Sequence, residues 1–312
     1  MPWKPLAPRR DRRRSDWATP AGITTPVERA QLTRVTVVIP VLDQAAELDT
    51  QLGAVTAQQV RLPVEIVVAD NGSKDGTAAV IARWERVDAR VRGLDASAQP
   101  GPAAARNVGV AAAAGDALAF CDADDVVAPG WLDACVEALA GADVVAGAFD
   151  FGALNGDQAA VPMEYYASHF DFLPAGLGAN LAVRTAAFRE VGGFDQTLRA
   201  GEDIDLCWRL QLRGHRFESA PRAVVAKRER SEARTRRLQL VSYGRHDAVL
   251  YRRFRGDGMR RNDWLTLKTY AWLLVNAPLT VVGRSRRRTW SRAFFLRLGR
   301  LRGSLEHRVF YP

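Results

Sequence analysis

The chain has 312 residues, 47% apolar and 8% aromatic, a composition that belongs to a globular protein and excludes collagenous, low-complexity and disulfide-scaffold classes. Its 44 basic and 35 acidic residues leave a formal charge of +9, concentrated at the ends in "KPLAPRRDRRR" and "RSRRRTWSRAFFLRLGRLRG". Cys121, Cys135 and Cys207 lack CxxC spacing, which excludes a zinc knuckle, fits a reducing compartment and makes all three small core residues.

The N-terminal segment carries charge with no apolar run behind it, so it does not read as a secretory signal, and a cytoplasmic location is expected. Residues 1–33, rich in Arg and Pro and without a hydrophobic period, are expected to form a disordered basic tail. Order begins with "RVTVVIPV" (34–41), a β-branched, nearly continuous apolar run that predicts a strand buried on both faces. A helical period through Leu48, Leu52 and Val55 follows, then a second buried strand, "VEIVVAD" (64–70). "TAAVIARWERV" predicts a helix with Ile81, Trp84 and Val87 inward, and "GPAAARNVGVAAAAG" another that starts near Pro102. The strand "ALAFCD", the helix "GWLDACVEALAG" and the strand "DVVAGAF" continue the alternation.

This rhythm predicts a doubly wound α/β sheet, in which ligands sit beyond the carboxyl ends of the strands. Asp43, Asp70 and Asp122 fall at three of those ends, so separate segments deliver polar groups to one edge. From about 151 to 179 the alternation lapses into a loop-rich stretch with five aromatics. Order returns with "NLAVRTAAFREVGGFD" and with "GEDIDLCWRL", a helix that places Ile204, Cys207, Trp208 and Leu212 inward.

Residues 231–312 read as a basic, helical region. Its one long apolar stretch, "WLTLKTYAWLLVNAPLTVVG" (264–283), is interrupted by Lys268, Asn276 and Pro278 and is marginal as a spanning helix. With Trp264, Tyr270 and Trp272 near one end and arginines after the other, it suits a helix lying in an anionic membrane interface, or one packed on the protein's own core.

Three segments carry chemistry. In "ADNGSKDGT", Asn71 and Gly72 suit a turn with unusual backbone angles beside a helix N-terminus, where a side chain can read a nucleobase and N–H groups can meet phosphate. In "FCDADD", Asp122, Asp124 and Asp125 repel one another unless a cation sits among them, and a divalent metal with a diphosphate would serve. In "GEDIDL", Glu202, Asp203 and Asp205 form an acidic first helical turn, where the dipole favours the ionised carboxylate that a general base needs.

"VTVVIPVLD", "VVADNGSKDGT", "GPAAARNVG", "FCDADD", "NLAVRTAAFREVGGFD" and "GEDIDLCWRL", in this order, resemble the family 2 glycosyltransferases of the GT-A fold over about residues 35–227. The resemblance implies a mixed, mostly parallel sheet in a catalytic domain spanning 34–230, followed by the basic helical extension 231–312. It implies transfer of a sugar from a nucleoside-diphosphate-sugar, with a UDP-sugar favoured, to an acceptor hydroxyl, with inversion. By the same resemblance Pro40, Leu42, Asp43, Asp70 and Asn71 would surround base and ribose. Arg106 and Asn107 would lie near the sugar nucleotide, Asp122 would face ribose or sugar, and Asp124 would bind Mn2+ or Mg2+. Asp203 would be the catalytic base, with Glu202 and Asp205 positioning it or the acceptor.

In "VVAKRERSE" (224–232), where many relatives of that family have a histidine after the strand, this chain has Lys227, which is expected to contact the diphosphate. Asn71 likewise replaces a frequent Asp, changing an acceptor into a donor and acceptor. A glycan or lipid-linked acceptor and a peripheral position on the cytoplasmic face of a membrane are expected, and no nucleic-acid partner. The competing expectation is a catalytically inactive glycosyltransferase-like scaffold in a membrane assembly, although both acidic motifs are kept. A sugar-nucleotide-forming nucleotidyltransferase would need a glycine-rich loop after strand one, where "VLDQAAEL" stands instead.

Overall fold

The structure is a computed structural model that describes residues 29–156, 163–164, 170, 172–229, 233–278 and 283–312. They fall into two compact units: the described residues of Thr24–Ala167 and Pro174–Glu229, and those of Ser168–Leu173 and Arg230–Pro312.

The larger unit runs β1 (Val35–Val41), α1 (Ala45–Thr56), β2 (Val64–Asp70), α2 (Thr77–Val87), β3 (Val91–Asp95), α3 (Pro102–Ala112) and β4 (Ala117–Cys121). It continues with β5 (Val126–Val127), α4 (Trp131–Gly141), β6 (Val144–Asp150), β7 (Met163–Glu164), β8 (Asn180–Arg184), α5 (Thr185–Glu190), α6 (Glu202–Leu212) and β9 (Phe217–Ala226). One sheet takes the order β3-β2-β1-β4-β8-β6-β9-β5, with β7 on β6. β1 to β4 are mutually parallel where they pair, β8 runs antiparallel between β4 and β6, and β9 is parallel to β6. This is the mixed α/β sheet expected.

The chain steps outward from β1 to β2 and β3, then crosses back to place β4 on the other side of β1. The carboxyl ends of β1 and β4 therefore flank a topological switch point, the place where open α/β sheets bind ligands.

β1 is buried on both faces because helices cover both. Val37 and Ile39 join a core with Leu48, Leu52 and Val55 of α1, Ile81 of α2, and Trp131, Leu132 and Leu139 of α4. On the opposite face α3 lies so close that a Cβ at Gly109 would stand 2.5 Å from Val38. Pro102 at the start of α3 supplies no N–H where none is needed. Cys121, Cys135 and Cys207 are free and buried, as expected.

Three details depart from the expectation. β3, the edge strand "VRGLD", was hidden by Arg92 and Gly93 in a run of five. Val87 is 71% exposed, because α2 ends there and the three-residue step from Trp84 turns it off the buried face. Leu212 likewise closes α6 on the exposed side. Of the N-terminal tail, residues 1–28 lie outside the described residues. Residues 29–33 carry a bidentate Arg29–Asp143 pair at 3.0 Å and hydrogen bonds from Thr33 to Asp116.

In the second unit α7 (Ala233–Phe254), α8 (Asp263–Asn276) and α9 (Arg284–Glu306) are helical, with a buried Arg300–Asp247 pair at 2.8 Å. Tyr251 stacks on Tyr311. α8 covers the start of the long apolar stretch, whose residues 279–282 lie outside the described residues. Among the described residues no helix is long and apolar enough to cross a membrane. Trp264, Leu267, Leu274 and Val275 of α8 are nonetheless exposed.

Candidate functional site

The site begins where β1 and β2 end in register, Val41 opposite Asp70. The chain turns through Asp43 with φ 52°, a left-handed conformation that Asp tolerates because its side chain can bond nearby backbone. Asp43 Oδ1 accepts from Lys74 N at 2.6 Å, and Asp70 Oδ1 accepts from Ser73 N at 2.9 Å. The Asn71 amide donates to the carbonyls of Ala96 and Gln99 and accepts from Gly101 N at 2.7 Å. Asn71 thus pins the β3–α3 loop. Pro40 pairs across from Ala69 in the sheet, and Leu42 is half exposed at the turn.

β4 delivers the acidic turn. Buried Gln51 of α1 holds it from beneath, donating to Asp122 O at 2.9 Å and accepting from Val127 N at 3.0 Å. Asp122, Asp124 and Asp125 each offer an oxygen within 4.8 Å of the others. Such an all-oxygen donor set fits a hard divalent cation, Mg2+ or Mn2+.

Two side chains of the protein itself supply cations here. Arg106 of α3 donates to Asp122 at 2.7 Å and to Glu202 of α6 at 3.0 Å. Lys227, after β9, places Nζ 3.1 Å from Asp122 Oδ2 and 2.7 Å from Asp125 Oδ2. Glu202, Arg106, Asp122, Lys227 and Asp125 therefore form one alternating chain of charge. The guanidinium of Arg106 stacks 5.5 Å from the Phe194 ring, and its Nε is buried without a protein partner.

Burial alone would push Asp122 up, but Lys227 and then Arg106 outweigh it and hold the carboxyl down at about 2. Burial pushes Asp125 up to about 7 against the pull of Lys227, with the charge of Asp122 adding to the rise. Burial likewise raises Glu202 to about 7, with Asp203 adding and Arg106 opposing. Lys227 would be lowered by burial, yet Asp122 and Asp125 raise it and keep it charged.

Asp203 lies beside Glu202 in the first turn of α6, after Gly201 with φ 75°. Its oxygens accept from Gly178 N and Ile204 N, both at 2.8 Å. Burial raises its pKa above the ordinary carboxylate value, against the pull of those N–H groups. Asp205 pairs with Arg209 at 2.7 Å, and Arg209 reaches the carbonyls of Val191 and Gly193, shaping the turn that carries Phe194.

Of the residues expected at the site, the structure brings Arg106, Asp122, Glu202 and Lys227 into direct contact. Asp124 shares the acidic turn, and Asp203 adjoins Glu202. The amide of Asn107 is instead engaged on both sides by the backbone of Phe194. Sequence reasoning missed Gln51, Phe194 and Gly178. A Cβ at Gly178 would stand 3.0 Å from Arg106 Cζ, so the glycine lets the guanidinium and the Asp203 amide contact coexist. The small-residue run "AGLGAN" was the available signal.

The sequence profile described as glycosyl transferase family 2 matches residues 36–189. The chain is 32% identical over 231 residues to a pre-mycofactocin glycosyltransferase of Mycobacterium tuberculosis, covering 69% of this chain but only 47% of that relative. It is 30% identical over 246 residues to the succinoglycan biosynthesis protein ExoO of Rhizobium meliloti, covering 72% of this chain and 70% of the relative. Among solved structures, the mannosyltransferase PcManGT of Pyrobaculum calidifontis, in complex with GDP-Man and Mn2+, superposes with a TM-score of 0.66 at 18% identity over 90% of each chain.

Proposed function

From the fact that the chain belongs to glycosyl transferase family 2, we propose that it moves a glycosyl group from a nucleoside-diphosphate-sugar to an acceptor hydroxyl with inversion at the anomeric carbon. The observation that carries this reading is Arg106, which ties the acidic turn after β4 to the helix that presents Asp203. A donor grip and a proton acceptor thereby belong to one site.

In this reading Pro40, Leu42, Asp43, Asp70 and Asn71 form the nucleoside end, largely through the turns that they brace. Asp122 faces ribose or sugar, with Arg106 and Asn107 behind it. Asp124, with its neighbours Asp122 and Asp125, would hold Mn2+ or Mg2+, an ion that neutralises the charge developing on the leaving diphosphate. Asp203 takes the proton from the acceptor oxygen as that oxygen bonds to the anomeric carbon and the bond to the diphosphate breaks. Glu202 holds Arg106 and is a positioning residue. The mannosyltransferase bound to GDP-Man and Mn2+ supports a diphosphate donor with a divalent ion, and a UDP-sugar is the first donor to try.

The acceptor is a cell-envelope glycan or its lipid-linked precursor, in keeping with a relative named for succinoglycan biosynthesis. Exposed Trp264, Leu267 and Leu274 of α8, and exposed Arg286, Arg287, Arg288 and Arg292 of α9, support a peripheral seat on an anionic leaflet at the cytoplasmic face. The test is calorimetric binding of UDP, GDP and dTDP, each with and without Mn2+, to the intact chain and to Asp124→Asn. Metal-dependent binding of one nucleotide, lost in the variant, is the expected result. Binding of none of them overturns the reading in favour of an inactive scaffold.

A further inference from the structure

A carboxylate cluster meant for a divalent ion is here already answered by an ammonium. Lys227 reaches both Asp122 and Asp125 across more than a hundred residues of sequence. Its backbone is fixed on both sides: Lys227 N donates to Asp150 O at 2.8 Å, and its carbonyl accepts from Asn155 at 2.8 Å. The next residue also grips the turn, Arg228 donating from its N to Asp125 Oδ1 and from Nε to Asp124 O. Only the four-carbon stem of Lys227 is at liberty, and its side chain, like that of Asp122, is about one quarter exposed (23% and 26%). Nζ can therefore leave the carboxylates toward an arriving ligand with no backbone shift.

The residue type matters. An arginine fork would bind the two carboxylates in a fixed planar geometry, whereas lysine is a point charge on a flexible stem. Forty of the chain's 44 basic residues are arginine, so a lysine here goes against the prevailing choice.

We infer that Lys227 is an exchanging counter-ion, which occupies Asp122 and Asp125 in the free protein and transfers to the diphosphate when the donor arrives. The consequence is coupling: a dication is repelled by the ammonium in the free protein and binds tightly only with a nucleotide whose phosphates draw Nζ away. Linkage requires the converse, that the metal strengthens nucleotide binding by the same factor. This inference rests on the donor-site reading above, and concerns how that site is held before the donor enters.

The experiment titrates Mn2+ alone, without nucleotide, into wild type, Lys227→Met and Lys227→Arg, following free Mn2+ by electron paramagnetic resonance. Lys227→Met is expected to bind nucleotide-free Mn2+ at least about tenfold tighter than wild type, a difference of about 1.4 kcal/mol. Lys227→Arg, which keeps the charge, is expected to bind no tighter than wild type. A merely structural lysine would give the opposite, since its loss would loosen the turn and weaken any metal binding. Repeating the titration with saturating UDP, GDP or dTDP should tighten Mn2+ binding strongly in wild type and much less in Lys227→Met. Unchanged or weaker nucleotide-free Mn2+ binding by Lys227→Met overturns the counter-ion role alone. A wild type that takes up no nucleotide overturns the donor-site reading instead. Should Lys227→Met lose its circular dichroism signature, Lys227→Gln serves in the same comparison.

Discussion

Asp43, Asp70 and Asn71, on the β1–β2 side of the site, engage backbone groups from 2 to 31 positions away. On the β4–α6 side Asp122, Asp125 and Glu202 face the side chains of Arg106 and Lys227, from 16 to 105 positions away. The first arrangement is made of turns whose partners have one fixed position each. The second is made of charges that must balance across four segments of chain, so removing one leaves another exposed to burial without compensation. One side is held by fixed backbone contacts, the other by ionic contacts between side chains.

The largest effect should come from the charged side. Asp203→Asn is expected to lower turnover by about 10²–10⁴-fold, the usual contribution of a general base, with nucleotide affinity retained. A transfer assay beside calorimetry checks both quantities, and a joint loss would move Asp203 from proton acceptor to donor contact. Next, Arg106→Met should destabilise the fold by about 3–5 kcal/mol, because Asp122 and Glu202 lose the cation between them. Adding Glu202→Gln should recover part of that loss in urea unfolding, and strict additivity would mean that the two residues are not coupled.

The turn side should respond less. Asn71→Ala removes three hydrogen bonds to the loop before α3 and is expected to cost about 1–3 kcal/mol. Its cost should be nearly independent of salt, unlike that of Arg106→Met, and equal salt sensitivity would erase the distinction between the two sides.

The smallest effect provides a control at the amino ends of β6 and β9, away from the carboxyl edge. Asp143, 3.8 Å from His215 Nδ1, raises the histidine's pKa above its ordinary 6.5, against the opposing pull of burial. Its contribution to stability is complete below 6.5 and is lost as pH rises through the higher folded value. Burial would raise Asp143, but His215, Arg29 and Arg216 N hold it well below the ordinary 3.8, so its contribution is present above 3.8 and lost in acid. His215→Gln should flatten the alkaline limb of stability against pH, weaken the acid limb only in part because Arg29 and Arg216 N still hold Asp143 down, and leave nucleotide binding in place. An unchanged alkaline limb in urea unfolding would remove His215 from this account.

Much of the larger unit could be read from periodicity. β1, α1, β2, α2, α3, β4 and α4 follow from apolar runs and helical spacing, and the acidic strand ends mark the edge where the switch point lies. β3 escaped because a short edge strand tolerates Arg92 and Gly93, and Val87 was misplaced because helical spacing does not show where a helix stops facing the core. Of the site, the acidic turn and the α6 carboxylates were plain. The cation among them was expected to be a metal with a diphosphate, which the oxygen set of Asp122, Asp124 and Asp125 fits, and the structure adds Lys227 and Arg106 beside it. Gln51 and Phe194 could not be recognised, since each acts on a residue far away in sequence, and Gly178 was marked only by the small-residue run around it.

What the sequence determined by itself is therefore the set of elements and the position of the chemistry at their ends, because hydrogen-bond periodicity and side-chain alternation are local properties. What only the tertiary structure decided is which charge meets which. Arg106 and Lys227 are two of 44 basic residues, and their pairing with Asp122 depends on α3 and the end of β9 converging on one turn. Buried charges act through distances of about 3 Å, and the folded sheet alone fixes those distances.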